Sequence, residues 1–139
     1  MSAQRKKLVE ALNQDIAGEL TAVMQYFYYG TMMTGVEYGQ VKKDFLAHVT
    51  EEFGHAVRLA SFVSHFGGEP VVEANPIKRA KESREMLLDV LEMEEQAVAR
   101  YTKRVDQAKA AKEYALEELI EDLLVDEQEH VMELKDLLG

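Results

Sequence analysis

The sequence of 139 residues has no cysteine, no tryptophan, 2 prolines and 8 glycines. Without cysteine there is no disulfide, no thiolate-held zinc or iron–sulfur cluster and no thiol nucleophile, so any metal must be taken by oxygen and nitrogen ligands. So few turn formers disfavour a fold of many short strands. Cationic side chains are the minority: 16 Lys and Arg stand against 26 Asp and Glu, a formal charge of −10. That balance repels phosphate backbones and anionic lipid and attracts cations, so neither nucleic acid nor membrane is an expected partner. No apolar run approaches the ~18 residues of a membrane span. The start Arg5-Lys6-Lys7 leads into no apolar signal core, which makes the cytoplasm the expected location. What remains is a chain with 47% hydrophobic residues, long enough for one packed domain over residues 1–139.

Apolar residues recur at steps of three and four, the spacing of one helix face, so the fold is expected to be all-α. The first seam reads Leu12, Ile16, Glu19, Val23, Tyr26, Gly30 and Met33 and stops at Thr34-Gly35, which predicts a helix over about 4–34. A second seam, Val41, Phe45, His48, Glu52, His55, Leu59, Phe62 and Phe66, ends at Gly67-Gly68 and predicts a helix over about 37–66. Residues 67–76 read as a linker. Asn75-Pro76 predicts the next helix start, since Asn caps free amides and Pro is tolerated at the first helical position. The third seam carries Leu87, Val90, Glu94, Ala97 and Tyr101, and the fourth Leu116, Ile120, Leu123, Glu127, His130, Leu134 and Leu137. They are divided near 109–112, because a single helix from Pro76 to Leu138 would be roughly 90 Å long at ~1.5 Å per residue. About ten extended linker residues reach roughly 33–36 Å, the length of such a bundle. The expected architecture is therefore a four-helix bundle made of two antiparallel hairpins joined by a long crossover.

Four glutamates hold positions where an apolar side chain belongs. Glu19 lies between Ile16 and Val23, Glu52 between His48 and His55, Glu94 between Val90 and Ala97, and Glu127 between Leu123 and His130. The Glu-x-x-His spacing puts His55 and His130 one turn from their glutamates on the same face. Four ionised carboxylates buried together are prohibitively costly unless cations offset them. Two divalent ions would do so, and oxygen-rich sites with one imidazole each suit iron or manganese. Tyr26 and Tyr101 each follow a seam glutamate by seven residues, near enough to serve as hydrogen-bond donor or electron source, against the plainer reading of core aromatics. His48 reads as a hydrogen-bonded seam histidine or a point of iron entry, and His65 as surface chemistry at a helix end. Glu51, Glu95 and Glu129 lie about 100° from their ligand neighbours and are expected to be solvated. The block Tyr26-Phe27-Tyr28-Tyr29 with Met32-Met33 spreads apolar surface around the first helix, which predicts self-association through Tyr28 and Tyr29.

The stretch Ala17-Gly18-Glu19-Leu20-Thr21-Ala22, followed by Gln25-Tyr26-Phe27, together with Glu52-Phe53-Gly54-His55-Ala56, Glu94 and Glu127-Gln128-Glu129-His130, resembles the bacterioferritin and rubrerythrin branch of the ferritin-like superfamily over nearly the whole chain. The resemblance implies a ferritin-like bundle holding two iron ions. Glu19 and Glu94 would be terminal carboxylates, Glu52 and Glu127 bridging ones, and His55 and His130 the imidazoles. It further implies a ferroxidase that oxidises Fe²⁺ with O₂ or H₂O₂, with Tyr26 favoured as the catalytic tyrosine. Phe53 stands where bacterioferritins carry the haem-ligating Met, so no haem is expected. Ala97 stands where rubrerythrins carry a further carboxylate, and their Cys-rich module is absent. A rubrerythrin-like peroxidase is thereby disfavoured, and a di-metal oxygenase acting on an organic substrate is the other alternative. Nine residues follow His130 in the chain of 139, too few for the fifth helix of large cages, so a homodimer through the first two helices is expected.

Overall fold

The computed structural model describes residues 1–139 and consists of four helices, α1 (Ala3–Met32), α2 (Gly39–His65), α3 (Ser83–Ala110) and α4 (Tyr114–Leu138), with a 3-10 turn at Val36–Tyr38. It is an all-α bundle in which α1 pairs with α2 and α3 with α4. None of the helices is long and apolar enough to cross a membrane. Ser2 starts α1 by accepting the Arg5 amide at 3.1 Å, satisfying one of the free amides of the first turn. Gly30 lets the hairpin close tightly: a Cβ there would stand 2.9 Å from Leu46 Cδ2 and 3.3 Å from Phe45 Cβ.

The second connection does cross the bundle, but it runs over 66–82, and α3 begins at Ser83 rather than at Asn75-Pro76. The reason lies on α1. Asn13 accepts the Val71 amide at 3.0 Å and donates to the Glu69 carbonyl at 3.1 Å. Further along, Thr21 accepts the Asn75 amide at 2.8 Å, Gln25 pairs with both the amide and the carbonyl of Lys78, and the Tyr29 hydroxyl accepts the Ala80 amide. Ser83 Oγ then donates to the Thr34 carbonyl at 2.6 Å. These bonds occupy backbone groups that a helix starting at Pro76 would need, so tertiary partners outweigh the local capping signal. The division between α3 and α4 falls at the expected place, with Lys112 in the left-handed region at φ 58°.

The tyrosine block of α1 is divided differently from the sequence expectation. Tyr29 is fully buried and its hydroxyl donates to Asp89, while Tyr28 is half-buried with the Arg79 guanidinium 5.1 Å from its ring centroid, a cation–π distance. The exposed apolar side chains of α1 and α2 are instead Met24, Phe27, Met32, Leu46, Phe53 and Val57. Tyr29 turns inward because its hydroxyl finds both an acceptor on α3 and a donor in the crossover.

The interior consists of two apolar clusters. One gathers Leu12, Ile16, Leu59, Val63, Tyr101, Leu116 and Ile120; the other gathers Tyr26, Tyr29, Met33, Phe45, Val90 and Leu134. Each buried Leu or Ile contributes about 1.5–3 kcal/mol of apolar burial. Between the clusters lies a layer that is almost entirely polar.

Candidate metal centre

Every helix delivers to that layer. Glu19 comes from α1, Glu52 and His55 from α2, Glu94 from α3, and Glu127 and His130 from α4, and none is more than 4% exposed. All six seam residues singled out in the sequence are thus brought together. They form two overlapping groups whose donor atoms lie within 4.8 Å of one another: Glu19, Glu52, His55 and Glu127, and Glu52, Glu94, Glu127 and His130. Glu52 and Glu127 belong to both groups. Each imidazole turns Nδ1 inward, His55 to 3.4 Å from Glu19 Oε2 and from Glu127 Oε1, and His130 to 3.0 Å from Glu94 Oε2 and 3.5 Å from Glu52 Oε1.

Such a layer is expensive for protein atoms alone. Glu19 Oε2, both oxygens of Glu52, Glu94 Oε1, Glu127 Oε1 and His55 Nδ1 are buried without any hydrogen-bond partner. Unpaired buried acceptors each cost about 1–3 kcal/mol, more when charged, so the set calls for a cation. Carboxylate oxygen with one imidazole per group is the donor chemistry of two divalent first-row ions, and the residues present fit such a pair. Titration follows the same logic. Burial and the neighbouring Glu19 and Glu94 push the Glu52 carboxyl well above the carboxylate range, and burial raises that of Glu127. Burial alone would lower the imidazoles, yet the carboxylates beside them prevail, raising His55 to about 10 and His130 to about 11.

The far nitrogen of each imidazole is held as well. His55 Nε2 meets Asp126 Oδ2 at 3.0 Å, and His130 Nε2 meets Glu51 Oε2 at 3.2 Å. Glu51 is therefore not a free solvated acid, as its helix phase suggests, because its side chain reaches across from α2 to α4. It also accepts from His48 Nδ1 at 3.1 Å, and its carboxyl is lowered by His130 and His48 together. The signal is present in the sequence: an acid immediately precedes the glutamate of both motifs, giving Glu51-Glu52-x-x-His55 and Asp126-Glu127-x-x-His130. Glu95, by contrast, is exposed and lies 3.9 Å from Lys135, while Glu129 and His65 are exposed.

The two tyrosines differ. Tyr101 is fully buried and donates its hydroxyl to Glu19 Oε1, which makes it more than core filler. Tyr26 is equally buried, its ring 5.0 Å from those of Phe45 and His48, and its hydroxyl has no hydrogen-bond partner. Burial and the charges of Glu94, Glu52 and Glu127 raise its pKa well above the phenol range. His48 is half-buried, with its ring 4.1 Å from that of His130.

One further element went unread in the sequence. Asp15, one turn before Glu19, is fully buried and receives Arg104 Nε at 2.6 Å and Nη2 at 3.0 Å. The pair ties α1 to α3 beside the layer. Its sequence trace is an acid on the first seam between Leu12 and Glu19.

Residues 9–139 match the family model for the ferritin-like domain. Among characterised relatives, a bacterioferritin of Brucella melitensis biotype 1 is 28% identical over 126 residues, covering 90% of this chain and 78% of its own. A bacterioferritin of Rhodobacter capsulatus is 26% identical over 126 residues, with the shares again 90% and 78%. In three dimensions the chain is similar to a ferritin-like, diiron-carboxylate protein of Bacillus anthracis, with a TM-score of 0.96 and 36% identity over 100% of both chains. It is also similar to the Rhodobacter capsulatus bacterioferritin, a structure with a metal-free dinuclear site and haem iron, with a TM-score of 0.89, 25% identity and coverage of 96% of this chain and 84% of that one.

Proposed function

The chain belongs to the ferritin-like family, and from that membership and the six buried side chains of its polar layer we propose that it is a cytoplasmic ferroxidase, a protein that binds two iron ions and oxidises Fe²⁺ with O₂ or H₂O₂ in iron homeostasis or detoxification. The observation that carries the reading is the set of unpaired carboxylate oxygens and the unpaired His55 nitrogen in one buried layer. Fe²⁺ is then substrate as well as resident metal, and manganese is the competing occupant.

Bound there, the two ions would supply the electrons that reduce the oxidant. The protein's part is positional. Glu19 and His55 would face one ion, Glu94 and His130 the other, and Glu52 and Glu127 both. Asp126 and Glu51 hold the far imidazole nitrogens, so that Nδ1 of each histidine is presented to the metal once its proton leaves. The Tyr101 hydroxyl fixes Glu19, while the unpaired Tyr26 hydroxyl is available as a donor beside Glu94.

Ala97, buried on α3, offers no further carboxylate to the layer, which weighs against a rubrerythrin-like peroxidase. The cleft lined by Tyr26 and His48 includes none of the six ligands, which weighs against an oxygenase with an organic substrate held there at the metals. Two measurements test the reading. Metal analysis after anaerobic Fe²⁺ loading should give two irons per chain, and fewer than one would end the di-iron reading. Stopped-flow absorbance should then show repeated turnover of excess Fe²⁺, whereas turnover of peroxide without it would transfer the assignment to a peroxidase.

The exposed face made by Met24, Phe27, Leu46, Phe53 and Val57 supports a homodimer joined through α1 and α2. Phe53 occupies that face, where its ring offers packing and no ligand to haem iron. Light scattering should report two chains of 15.8 kDa, and a monomer would remove this part of the reading.

A further inference from the structure

The first turns of α2 and the last turns of α4 stand apart around a cleft of about 330 Å³, a volume at the small end of the range for ligand sites. Its base is apolar, formed by the buried side chains of Tyr26, Val41, Phe45 and Leu134. Its rim carries three carboxylates, Asp44, Glu133 and Asp136. None of the three takes part in an ion pair: Asp44 accepts only the Gln40 amide at 2.9 Å, and the neighbouring Lys135 is directed to Glu95 at 3.9 Å.

A bare divalent ion matches this cleft poorly. The donor atoms of the three rim carboxylates do not converge as those of the metal layer do, and they form no group within 4.8 Å. An ion would also gain nothing from the apolar base. A neutral ligand would gain nothing from the three exposed carboxylates of the rim, and an anion would be repelled by them. An extended cation with an apolar body uses both parts. We propose that this cleft binds a small organic cation, an amine carried on an aromatic or short alkyl body, with the body against Tyr26, Val41, Phe45 and Leu134 and the ammonium among Asp44, Glu133 and Asp136. The occupant would lie one side chain from the metal layer, because His48 lines the cleft and its ring is 4.1 Å from that of His130.

The test uses the full chain and three probes of one shape: 2-phenylethylamine, 2-phenylethanol and 3-phenylpropionate. Amide NMR titrations should show saturable shifts over 41–48 and 133–137 for the amine. The alcohol should bind about tenfold or more weakly, the loss of one charge-assisted contact, and the acid should not bind. The double substitution Glu133→Gln with Asp136→Asn, both at exposed positions, should abolish the preference for the amine without moving Tm. Leu137→Arg, also exposed, should compete from within the chain and weaken the amine further. Equal affinity for amine and alcohol, shifts elsewhere in the bundle, or unchanged amine binding in the neutralised variant would overturn the proposal. Displacement of the amine by an equal concentration of Mg²⁺ would also overturn it, since the rim would then be a metal route.

Discussion

His55 Nε2 lies 3.0 Å from Oδ2 of Asp126, a residue of the facing helix that immediately precedes the ligand candidate Glu127. The relation is reciprocated across the bundle by His130 and Glu51, at 3.2 Å. A carboxylate behind an imidazole fixes the ring and raises its basicity toward a metal. Asp126→Asn and Glu51→Gln keep volume and remove that charge, so each should weaken Fe²⁺ or Co²⁺ binding by about 10–100-fold. Anaerobic titration with a competing chelator measures this directly. Loss of one ion per chain rather than both would assign each acid to its own half of the centre.

The protonation of the metal-free layer sets a pH signature. His55 and His130 are raised from 6.5 to about 10 and about 11, so the folded state holds protons that the unfolded chain has released. That contribution to stability is complete below the unfolded value of about 6.5 and disappears as pH rises through the folded values. Glu52 and Glu127 are raised too, and their contribution declines above the ordinary glutamate value of about 4.3. Both kinds of group have the same sign, and the metal-free Tm should fall steadily from pH 5 to pH 9. Metal binding must expel the imidazole protons, so its affinity should rise over the same interval. Calorimetry in buffers of different ionisation enthalpy should find at least two protons released per filled centre at pH 8, the imidazole protons together with any that Glu52 still holds. A metal-free Tm independent of pH would mean that the layer does not hold these protons.

Tyr101 and Tyr26 are buried alike but bonded differently, and their phenylalanine variants should separate. Tyr101→Phe leaves Glu19 Oε1 without its donor inside the bundle, a loss of about 1–3 kcal/mol in the metal-free protein. Tyr26→Phe removes a buried hydroxyl that has no partner, so it should leave the stability of the metal-free protein unchanged or raise it by up to about 1–3 kcal/mol. If Tyr26 acts in the reaction, its variant should slow Fe²⁺ oxidation while two ions still bind. Denaturant melts and stopped-flow traces on the same preparations distinguish the two roles.

The bundle and its six convergent residues were legible because helix periodicity is strict: a glutamate in an apolar phase is conspicuous among residues such as Ile16 and Val23. What was illegible depends on partners distant in sequence. The start of α3 moved to Ser83 because Asn13, Thr21 and Gln25, far upstream, take the backbone of the crossover. Glu51 looked solvated because helix phase reports direction from one axis only, while a glutamate is long enough to reach a histidine on the next helix. The Asp15 and Arg104 pair could not be read because burial of either residue makes sense only once the other is placed opposite it.

The ends of α2 and α3 make one more contrast that can be measured. Both close with the same pair of bonds: Gly68 to the Val63 carbonyl and Gly67 to that of Ser64 after α2, Glu113 to the Ala108 carbonyl and Lys112 to that of Lys109 after α3. The motif requires a left-handed residue, which is Gly67 at φ 87° in the first case and Lys112 at φ 58° in the second. A side chain in that region costs about 1–2 kcal/mol, partly offset by the greater freedom glycine would have in the unfolded chain. Lys112→Gly should therefore stabilise the metal-free protein by about 0.5–1 kcal/mol, a rise of about 2–4 °C in Tm for a chain of this size. Gly67→Ala should cost about 1 kcal/mol for the converse reason. Thermal melts must be made without metal, because bound ions would add a mass-action term to every variant. A fall in Tm for Lys112→Gly would show that the lysine side chain contributes more to the turn than its backbone costs.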